Sequence, residues 1–201
     1  MIKAIIFDYG NVISAVLNGP FLGNLARLSG KTIEELDESI HAKSSLLKDF
    51  ETGRISPDKF FGEAVRLGGI TIEKREFKRL FTGRFSPIAS THDLIRKLKP
   101  AFRLALLSNT NEWDYEHEIK KSAVFSLFDA VTVSCRVGAM KPDERIYRDA
   151  LEKLNLRPSD CIYIDDIKDY ADAASAEGMR GIHYQSHEGL LESLNNLHIC
   201  P

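Results

Sequence analysis

Acidic and polar side chains follow three separate apolar runs of the sequence. Asp8 comes directly after "IKAIIF", and Asp165 and Asp166 follow "CIYI". Ser108 and Asn109 close a third run, "RLALLSN". Like charges about 4 Å apart repel by roughly 4 kcal/mol at an effective dielectric constant near 20, so three clustered carboxylates would call for a cation. Hard oxygen ligands with room for water favour Mg²⁺.

A lysine in the segment "MKPDERIY" adds a positive charge to this set. Pro142 restricts the backbone of Lys141 to extended conformations, and we expect this to aim the lysine side chain inwards. The hydroxyl of Ser108 and the amide of Asn109 supply neutral donors. Carboxylates, Mg²⁺, a lysine and neutral donors together are typical of a site that handles a phosphoryl group.

The elements that must position these residues are five short apolar runs. They span residues 2–7, 103–108, 130–134, 161–164 and 181–184. Most are continuously apolar, which favours strands covered on both faces, as in a parallel sheet. Helical patterns separate the later runs, so the sequence predicts an α/β, Rossmann-like doubly wound parallel sheet. The carboxyl ends of parallel strands share one edge, where we expect the carboxylates to meet.

Residues 15–86 show helical patterns and no convincing strand. Thr32 and Glu35 have the spacing of a capping box, and Ser56 followed by Pro57 is a typical helix start. We therefore predict a core domain of residues 1–14 and 87–201, and a helical domain of residues 15–86 inserted after the first strand. Such an insert emerges at the edge where open α/β sheets bind ligands, and is well placed to act as a lid.

The composition is that of a globular protein without a strong field of either sign. The chain has 201 residues, 43% of them hydrophobic, with a formal net charge of −2. We therefore expect neither nucleic-acid nor membrane partners, and no apolar run approaches the ~20 residues of a membrane span. Three cysteines without a spacing pattern, Cys135, Cys161 and Cys200, indicate a reducing compartment and predict a cytoplasmic protein without a disulfide framework or zinc site.

Four segments together resemble the motifs of the haloacid dehalogenase (HAD) superfamily. They are "FDYGNV", "LLSNT", "KPDERIY" and "IDDIKDYADAASAEGM", in that order. The helical insert resembles the family's small helical cap, and "FETGRIS" is similar to a segment often found in such caps. The resemblance covers nearly the whole chain. It implies a HAD-like core with a cap after strand 1, and a Mg²⁺-dependent phosphatase acting on a small phosphorylated metabolite.

The resemblance also implies how the acidic residues divide the chemistry. Asp8 would be the nucleophile that forms an aspartyl-phosphate. Mg²⁺ would be held by Asp8, by the backbone carbonyl of Gly10 and by Asp166. Asp165 would support these ligands or act through a water molecule.

The phosphate-binding residues follow from the same resemblance. Ser108 and the backbone of Asn109 would hold phosphate oxygens, and Lys141 would neutralise the charge on the nucleophile and the phosphoryl group. The sequence departs from the family's commonest pattern at two positions. Gly10 stands where phosphatases of the family usually carry a second Asp as general acid and base, and Tyr170 stands where a further Asp or Asn often follows the acidic pair.

The departure at Gly10 has a chemical consequence. General acid–base help is worth roughly 10²–10⁴ in rate. Without it, we expect esters with acidic leaving groups, such as sugar 1-phosphates, acyl phosphates or aryl phosphates, to react best. The Asp-x-Gly-Asn-Val form also resembles a subgroup of cap-bearing members described as sugar-phosphate phosphatases.

Two other functions stay open at this point. A metal-independent 2-haloacid dehalogenase would use the same Asp8 nucleophile, and a non-catalytic phosphate-binding relative would have lost turnover with the second Asp. Trp113 and Tyr115 follow the second motif, where they either line the substrate pocket or pack in the core. In the insert, Glu51 and Arg54 are interpreted as structural, with a contact between Arg54 and the substrate kept as an alternative.

Overall fold

A computed structural model describes residues 1–42 and 45–199 of the chain. Its strands are β1 (Ala4–Phe7), β2 (Ser14–Val16), β3 (Phe85–Pro87), β4 (Arg103–Ser108), β5 (Ala130–Val133), β6 (Cys161–Asp165) and β7 (Arg180–His183). Its α-helices are α1 (Asn18–Ser29), α2 (Ile33–Asp37), α3 (Leu46–Glu51), α4 (Pro57–Gly68), α5 (Lys74–Thr82), α6 (Ala89–Leu98), α7 (Glu112–His117), α8 (Ser134–Val137), α9 (Glu144–Leu154), α10 (Lys168–Ala176) and α11 (His187–Asn196). A π-helical turn spans Glu38–Ala42, and 3₁₀ turns span Ile119–Lys121, Phe125–Leu127 and Pro158–Asp160.

Five of the strands form a sheet in the order β5-β4-β1-β6-β7. Every neighbouring pair in this sheet is parallel. The central strand β1 has no exposed surface on any of its four residues, because helices cover both faces. The predicted α/β, Rossmann-like doubly wound parallel sheet is therefore confirmed.

Each face of the sheet is covered by its own apolar cluster. Successive residues of a strand point to opposite faces, and β1 follows this rule. Ile5 and Phe7 belong to a cluster that includes residues of α6 and α11. Ala4 and Ile6 belong to a second cluster, which is formed mainly with α9. Burial on both faces explains why the strand sequences are continuously apolar.

The helices α1 to α5 have an apolar cluster of their own, rich in phenylalanine. Its fully buried rings include Phe50, Phe60, Phe77 and Phe81. Two helix starts in this region are confirmed as predicted. Thr32 and Glu35 form the reciprocal capping box of α2, and Ser56 caps α4 with Pro57 in its first turn.

The expectation that residues 15–86 contain no strand is wrong at both ends of this region. β2 and β3 form a two-stranded antiparallel sheet, in which Ala15 pairs with Ser86 and Val16 with Phe85. Each strand has three residues, which is too short for a periodic signal of four to eight residues. The two strands find each other only because the chain leaves and re-enters the core at the same place. The division into a core domain and a helical domain remains our proposal. The strand pair β2–β3 lies at the predicted boundary between the two domains.

Two further expectations concern buried and membrane-spanning segments. Cys161 is fully buried in β6 and Cys135 is half-buried, and both are free thiols, whereas Cys200 lies outside the described residues. Within the described ranges, none of the helices combines the length and the apolar character that a bilayer crossing needs.

Candidate active site

The carboxyl ends of β1, β4 and β6 meet at one edge of the sheet. Phe7 pairs with Leu106 on one side and with Ile164 on the other, so Asp8 and Asp165 lie at the same level and Ser108 lies one residue further along β4. The carboxylates of Asp8, Asp165 and Asp166 consequently lie together, with ligand oxygens within 4.8 Å of one another. The predicted convergence of the acidic strand ends is thus observed.

Lys141 lies between two of these carboxylates. Its Nζ donates hydrogen bonds to Asp8 Oδ1 at 2.7 Å and to Asp165 Oδ2 at 2.6 Å, and the lysine is 4% exposed. The side chain of Asn109 forms hydrogen bonds with both the backbone N–H and the backbone carbonyl of Lys141. Lys141 N donates to Asn109 Oδ1 at 2.8 Å, and Asn109 Nδ2 donates to the Lys141 carbonyl at 3.3 Å. The side chain of Asn109 therefore positions the lysine, a role that its place in the sequence did not suggest.

The two adjacent aspartates after β6 have different surroundings. Both oxygens of Asp165 accept protein hydrogen bonds, Oδ2 from Lys141 and the Tyr163 hydroxyl, and Oδ1 from the backbone N–H of Ile167 at 2.8 Å. Asp166 is half-buried, and only its Oδ2 is bonded to Asn11. This arrangement fits Asp166 as a cation ligand and Asp165 as the residue that orients the lysine.

The acidic cluster contains more negative than positive charge. Burial raises the pKa of Asp8 to about 7, the Lys141 ammonium opposes this shift, and Asp165 adds to it. Burial lowers the pKa of Lys141, but the attraction of Asp8 and Asp165 outweighs this effect and the pKa lies above its ordinary value. Three carboxylates thus face one ammonium, and a divalent cation would supply the missing charge.

The loop after Asp8 does not require glycine at position 10 for steric reasons. A Cβ atom built on Gly10 would lie 3.4 Å from Val16 Cγ2 and 3.8 Å from Asp8 Oδ2, which are ordinary contact distances. Asn11, not Gly10, adopts the left-handed backbone conformation, with φ 52°. The position that lacks the family's second Asp has room for a side chain.

Asn11 is a further residue that contacts the acidic cluster, and the sequence did not indicate it. Its Nδ2 donates to Asp166 Oδ2 at 3.0 Å, and its Oδ1 accepts from Val16 N at 3.1 Å. The side chain therefore joins the loop after Asp8 to the acidic pair. The available signal was that an Asn after Gly at a strand end is a residue type that tolerates a left-handed turn.

Two tyrosine rings lie close to Lys141; the sequence singled out Tyr170 as a departure from the motif pattern but did not indicate Tyr163. Lys141 Nζ lies 5.7 Å from the ring centroid of Tyr163 and 5.0 Å from that of Tyr170. Tyr170, which replaces the acidic or amide residue of the family pattern, thus covers the lysine with an aromatic face. Ser108 is buried at the end of β4, and its hydroxyl makes a long hydrogen bond to the Asn109 carbonyl, 3.4 Å.

A cavity of about 420 Å³ lies between the helical insert and the loop that carries Lys141. Its walls include Lys48, Glu51 and Arg54 from the insert and Met140, Lys141 and Arg145 from the core. The placement of Arg54 on this wall agrees with its alternative interpretation as a residue that could meet the substrate. The insert and the loop of Lys141 therefore form the walls of one cavity.

Trp113 does not line this cavity. It is 4% exposed and packs against the rings of Phe50 and Phe81, with centroid distances of 5.4 and 5.8 Å. Tyr115 lines a separate cavity of about 370 Å³. Of the two interpretations of Trp113, packing is the one that holds.

The chain is similar to known proteins over most of its length. The family model for haloacid dehalogenase-like hydrolases matches residues 2–178. A sesquiterpene phosphatase from Aspergillus oryzae is 28% identical over 185 residues, which cover 90% of this chain and 89% of that protein. D-ribitol-5-phosphate phosphatase from Bacteroides thetaiotaomicron is 25% identical over 173 residues, covering 83% and 84% of the two chains.

A solved structure has the same fold. The HAD family enzyme from Bacteroides thetaiotaomicron, in complex with magnesium and inorganic phosphate, superposes with a TM-score of 0.82 at 19% identity. The match covers 92% of this chain and 95% of that one. The similarity extends over both the sheet and the inserted helices.

Proposed function

We propose that this chain, which belongs to the haloacid dehalogenase-like hydrolases, is a Mg²⁺-dependent phosphatase. It hydrolyses small phosphate esters and uses Asp8 as its nucleophile. The names of its relatives, a sesquiterpene phosphatase and a D-ribitol-5-phosphate phosphatase, support phosphate-ester hydrolysis. The observation that carries the proposal is the buried Asp8 carboxylate, held through one oxygen by Lys141 and flanked by a second and a third carboxylate.

The geometry around Asp8 suits an in-line displacement. Lys141 bonds to Oδ1 of Asp8, which leaves Oδ2 to attack phosphorus. The bond from phosphorus to the leaving oxygen breaks as the Asp8–phosphorus bond forms. Water then attacks the phosphoryl group, phosphate leaves, and the Asp8 carboxylate is regenerated. Throughout, the Lys141 ammonium offsets charge on the nucleophile and on the phosphoryl oxygens.

The acidic cluster fits a magnesium ion. Asp8, Asp166 and the Gly10 carbonyl would hold it, because Asp165 already has both oxygens bonded to protein donors. Bound Mg²⁺ would stabilise the charge that develops on the transferred phosphoryl group. Ser108 and the backbone of Asn109, at the end of the neighbouring strand, would bind phosphate oxygens.

The substrate class follows from Gly10. Because the nucleophile loop carries no second carboxylic acid, we propose that esters with good leaving groups, such as sugar 1-phosphates, acyl phosphates or aryl phosphates, react fastest. Equal rates on glycerol phosphate and on a phenolic ester, with chemistry rate-limiting, would contradict this preference.

The function is tested with p-nitrophenyl phosphate and Mg²⁺. We expect Asp8→Asn to reduce hydrolysis to the uncatalysed background, and a chelator to abolish the activity of the parent reversibly. Activity towards a 2-haloacid that survives the chelator would instead identify a dehalogenase. Failure of Asp8 to form a beryllium fluoride adduct in the presence of Mg²⁺, together with no turnover, would identify a non-catalytic phosphate binder.

A further inference from the structure

Glu51 and Lys141 line the same cavity from opposite sides. Glu51 is the last residue of α3 in the helical insert, whereas Lys141 holds the nucleophile Asp8 in the core. We propose that Glu51 is the general acid and base that the nucleophile loop lacks at Gly10. This inference rests on the proposed phosphatase function and names one further catalytic residue for it. With Glu51 as proton donor, the parent should also hydrolyse esters with poor leaving groups, and the preference for good leaving groups becomes smaller without disappearing.

The backbone of Glu51 is fixed to the core. The hydroxyl of Ser134, the first residue of α8, donates to the Glu51 carbonyl at 2.6 Å. The same hydroxyl accepts a hydrogen bond from Thr110 N at 2.8 Å. Thr110 follows directly on the predicted phosphate-binding residues Ser108 and Asn109. One buried serine thus ties the insert residue to the loop that would hold the phosphate.

The turn after Glu51 gives a second anchor. Gly53 has φ 67°, and a Cβ atom there would lie 2.3 Å from the carbonyl oxygen of Cys135. Backbone therefore packs directly on backbone, a contact that only glycine permits. Two independent contacts on one short segment fix the backbone of Glu51 on the core, in the wall of the cavity that Lys141 also lines.

The surroundings of the Glu51 carboxyl favour a proton carrier over a structural ion pair. Among the described residues, no side chain donates a hydrogen bond to it, and Arg84 is already bonded to Asp114 and Asn18 at 2.6 and 3.0 Å. Glu51 also ends a helix, where the dipole disfavours a negative charge.

The charged and titratable groups near Glu51 come from several elements. They are Lys141, Arg84, Asp114, Tyr170 and Cys135, with Lys48, Arg54, Asp143 and Arg145 on the cavity wall. Burial raises the pKa of Glu51 to about 7, with Arg84 and Lys141 opposing the shift and Asp114 adding to it. A carboxyl group that titrates near neutral pH can both give and take a proton there.

The proton balance of both steps is then complete. In the first step the Glu51 carboxylic acid gives its proton to the leaving oxygen as the phosphorus–oxygen bond breaks and Asp8 becomes phosphorylated. The alcohol leaves, and Glu51 remains as a carboxylate. In the second step this carboxylate takes a proton from water while the water oxygen attacks phosphorus. Phosphate departs, and both Asp8 and Glu51 return to their starting states.

The test compares Glu51→Gln with the parent on two esters, glycerol phosphate and p-nitrophenyl phosphate. Loss of the acid should lower kcat on glycerol phosphate by about 10²–10³, within the range of general acid catalysis. Phosphorylation by the nitrophenyl ester needs no proton donor, so its first step should change less than tenfold. Glu63→Gln, in which the exposed partner of Arg66 is altered in the same insert, serves as the matched control and should leave both rates unchanged.

Two readouts separate a catalytic from a structural role. With p-nitrophenyl phosphate, Glu51→Gln should release a stoichiometric burst of nitrophenol, and phosphorylated protein should be detectable by mass spectrometry after an acid quench, because the second step lacks its base. In the parent, kcat on glycerol phosphate should fall as the pH rises above about 7, and the variant should lose this dependence. An equal loss on both esters without a burst would overturn the role of Glu51 and leave the phosphatase function intact. Turnover that survives Asp8→Asn would overturn the function itself.

Discussion

At the level of single residues, the adjacent pair Asp165 and Asp166 shows how position alone separates two identical side chains. Asp165 is the last residue of a buried strand, so it faces inwards and meets Lys141 and the Tyr163 hydroxyl. Asp166 begins the loop, is half-buried and accepts a hydrogen bond from Asn11. The sequence presents the pair as equivalent, and strand alternation makes them different.

Replacing Lys141 by methionine should destabilise the protein strongly. The change leaves Asp8 and Asp165 buried without a counter-charge, and breaking a buried ion pair in this way costs about 3–5 kcal/mol. Urea unfolding at pH 8 with a chelator present measures the free energy of unfolding. Lys153→Met, which removes an exposed partner of Asp149, is the control and should cost less than about 1 kcal/mol. Similar losses in the two variants would show that the buried lysine contributes no special stability.

Glu51→Gln should make the protein more stable, not less. The pKa of Glu51 is raised from 4.5 to about 7 in the folded state, so the folded protein disfavours its charged form. This penalty is fully present above pH 7 and disappears as the pH falls towards 4.5. We expect a Tm increase of about 2–4 °C at pH 8, corresponding to about 1 kcal/mol, and a smaller increase at pH 5. A variant with lower Tm at pH 8 would contradict the burial of a carboxylate here.

An acid introduced at position 10 should rescue the loss of Glu51. A Cβ atom on Gly10 meets only ordinary contacts, and it would lie 3.8 Å from Asp8 Oδ2. In the Glu51→Gln background, Gly10→Asp should therefore raise kcat on glycerol phosphate by about 10–100-fold, within the range of general acid catalysis. Gly10→Asn, which has the same shape without the acid, should give no rescue. Equal effects of the two substitutions would exclude proton transfer as the cause.

At the level of elements, the turn that follows α3 holds the insert against the core through non-covalent backbone contacts. Its contact is backbone to backbone, between Gly53 and the carbonyl of Cys135, and a serine hydroxyl adds a hydrogen bond to the Glu51 carbonyl. These contacts do not depend on a pattern of side chains, and no periodicity in the sequence signals them. The element therefore has a defined position although its helix is short.

Gly53→Ala should displace the turn that follows α3 from the core, and Gly30→Ala is the control substitution. Both glycines have positive φ, 67° and 71°, so both substitutions carry the strain of a left-handed residue, about 1–3 kcal/mol. Only at Gly53 does the new Cβ collide with backbone, whereas nothing lies within 4 Å at Gly30. We expect a larger loss of Tm in Gly53→Ala, with a fall in kcat on glycerol phosphate that Gly30→Ala lacks. Equal Tm losses would show that the close approach is not maintained.

At the level of the whole molecule, the helical insert and the sheet are joined by more than the strand pair β2–β3. Trp113, from α7 of the core, is buried among the phenylalanines of the insert. Beside it, Arg84 and Asp114 form a buried ion pair at 2.6 Å. The two regions thus share part of one apolar cluster, and we expect them to unfold together.

The single tryptophan of the chain makes this cooperativity measurable. Because Trp113 lies where α7 meets the insert, its fluorescence reports on that junction, whereas far-UV circular dichroism reports on all the helices. The two signals should give coincident urea transitions for the parent protein, as two-state unfolding requires. A fluorescence transition at clearly lower urea than the circular dichroism transition would show that the insert detaches before the sheet unfolds.

Much of this protein could be predicted from its sequence, because the relevant signals are local. Continuously apolar runs identify strands buried on both faces, and the polar residues that follow them identify the edge where a site forms. The capping residues Thr32 and Ser56 mark two helix starts correctly. The motifs around Asp8, Ser108, Lys141 and Asp165 indicate the family, and the fold brings Asp8, Lys141 and Asp165 into contact as expected.

What only the tertiary structure decided are contacts between residues far apart in the chain. The strands β2 and β3 are too short to be recognised and exist because their partners are brought together. Trp113 packs in the insert and not in the pocket for the same reason. In the sequence, Glu51 resembles any charged residue at the end of a helix. Its desolvation and its place in the same cavity as Lys141 depend on the surrounding fold, and the local sequence does not indicate them.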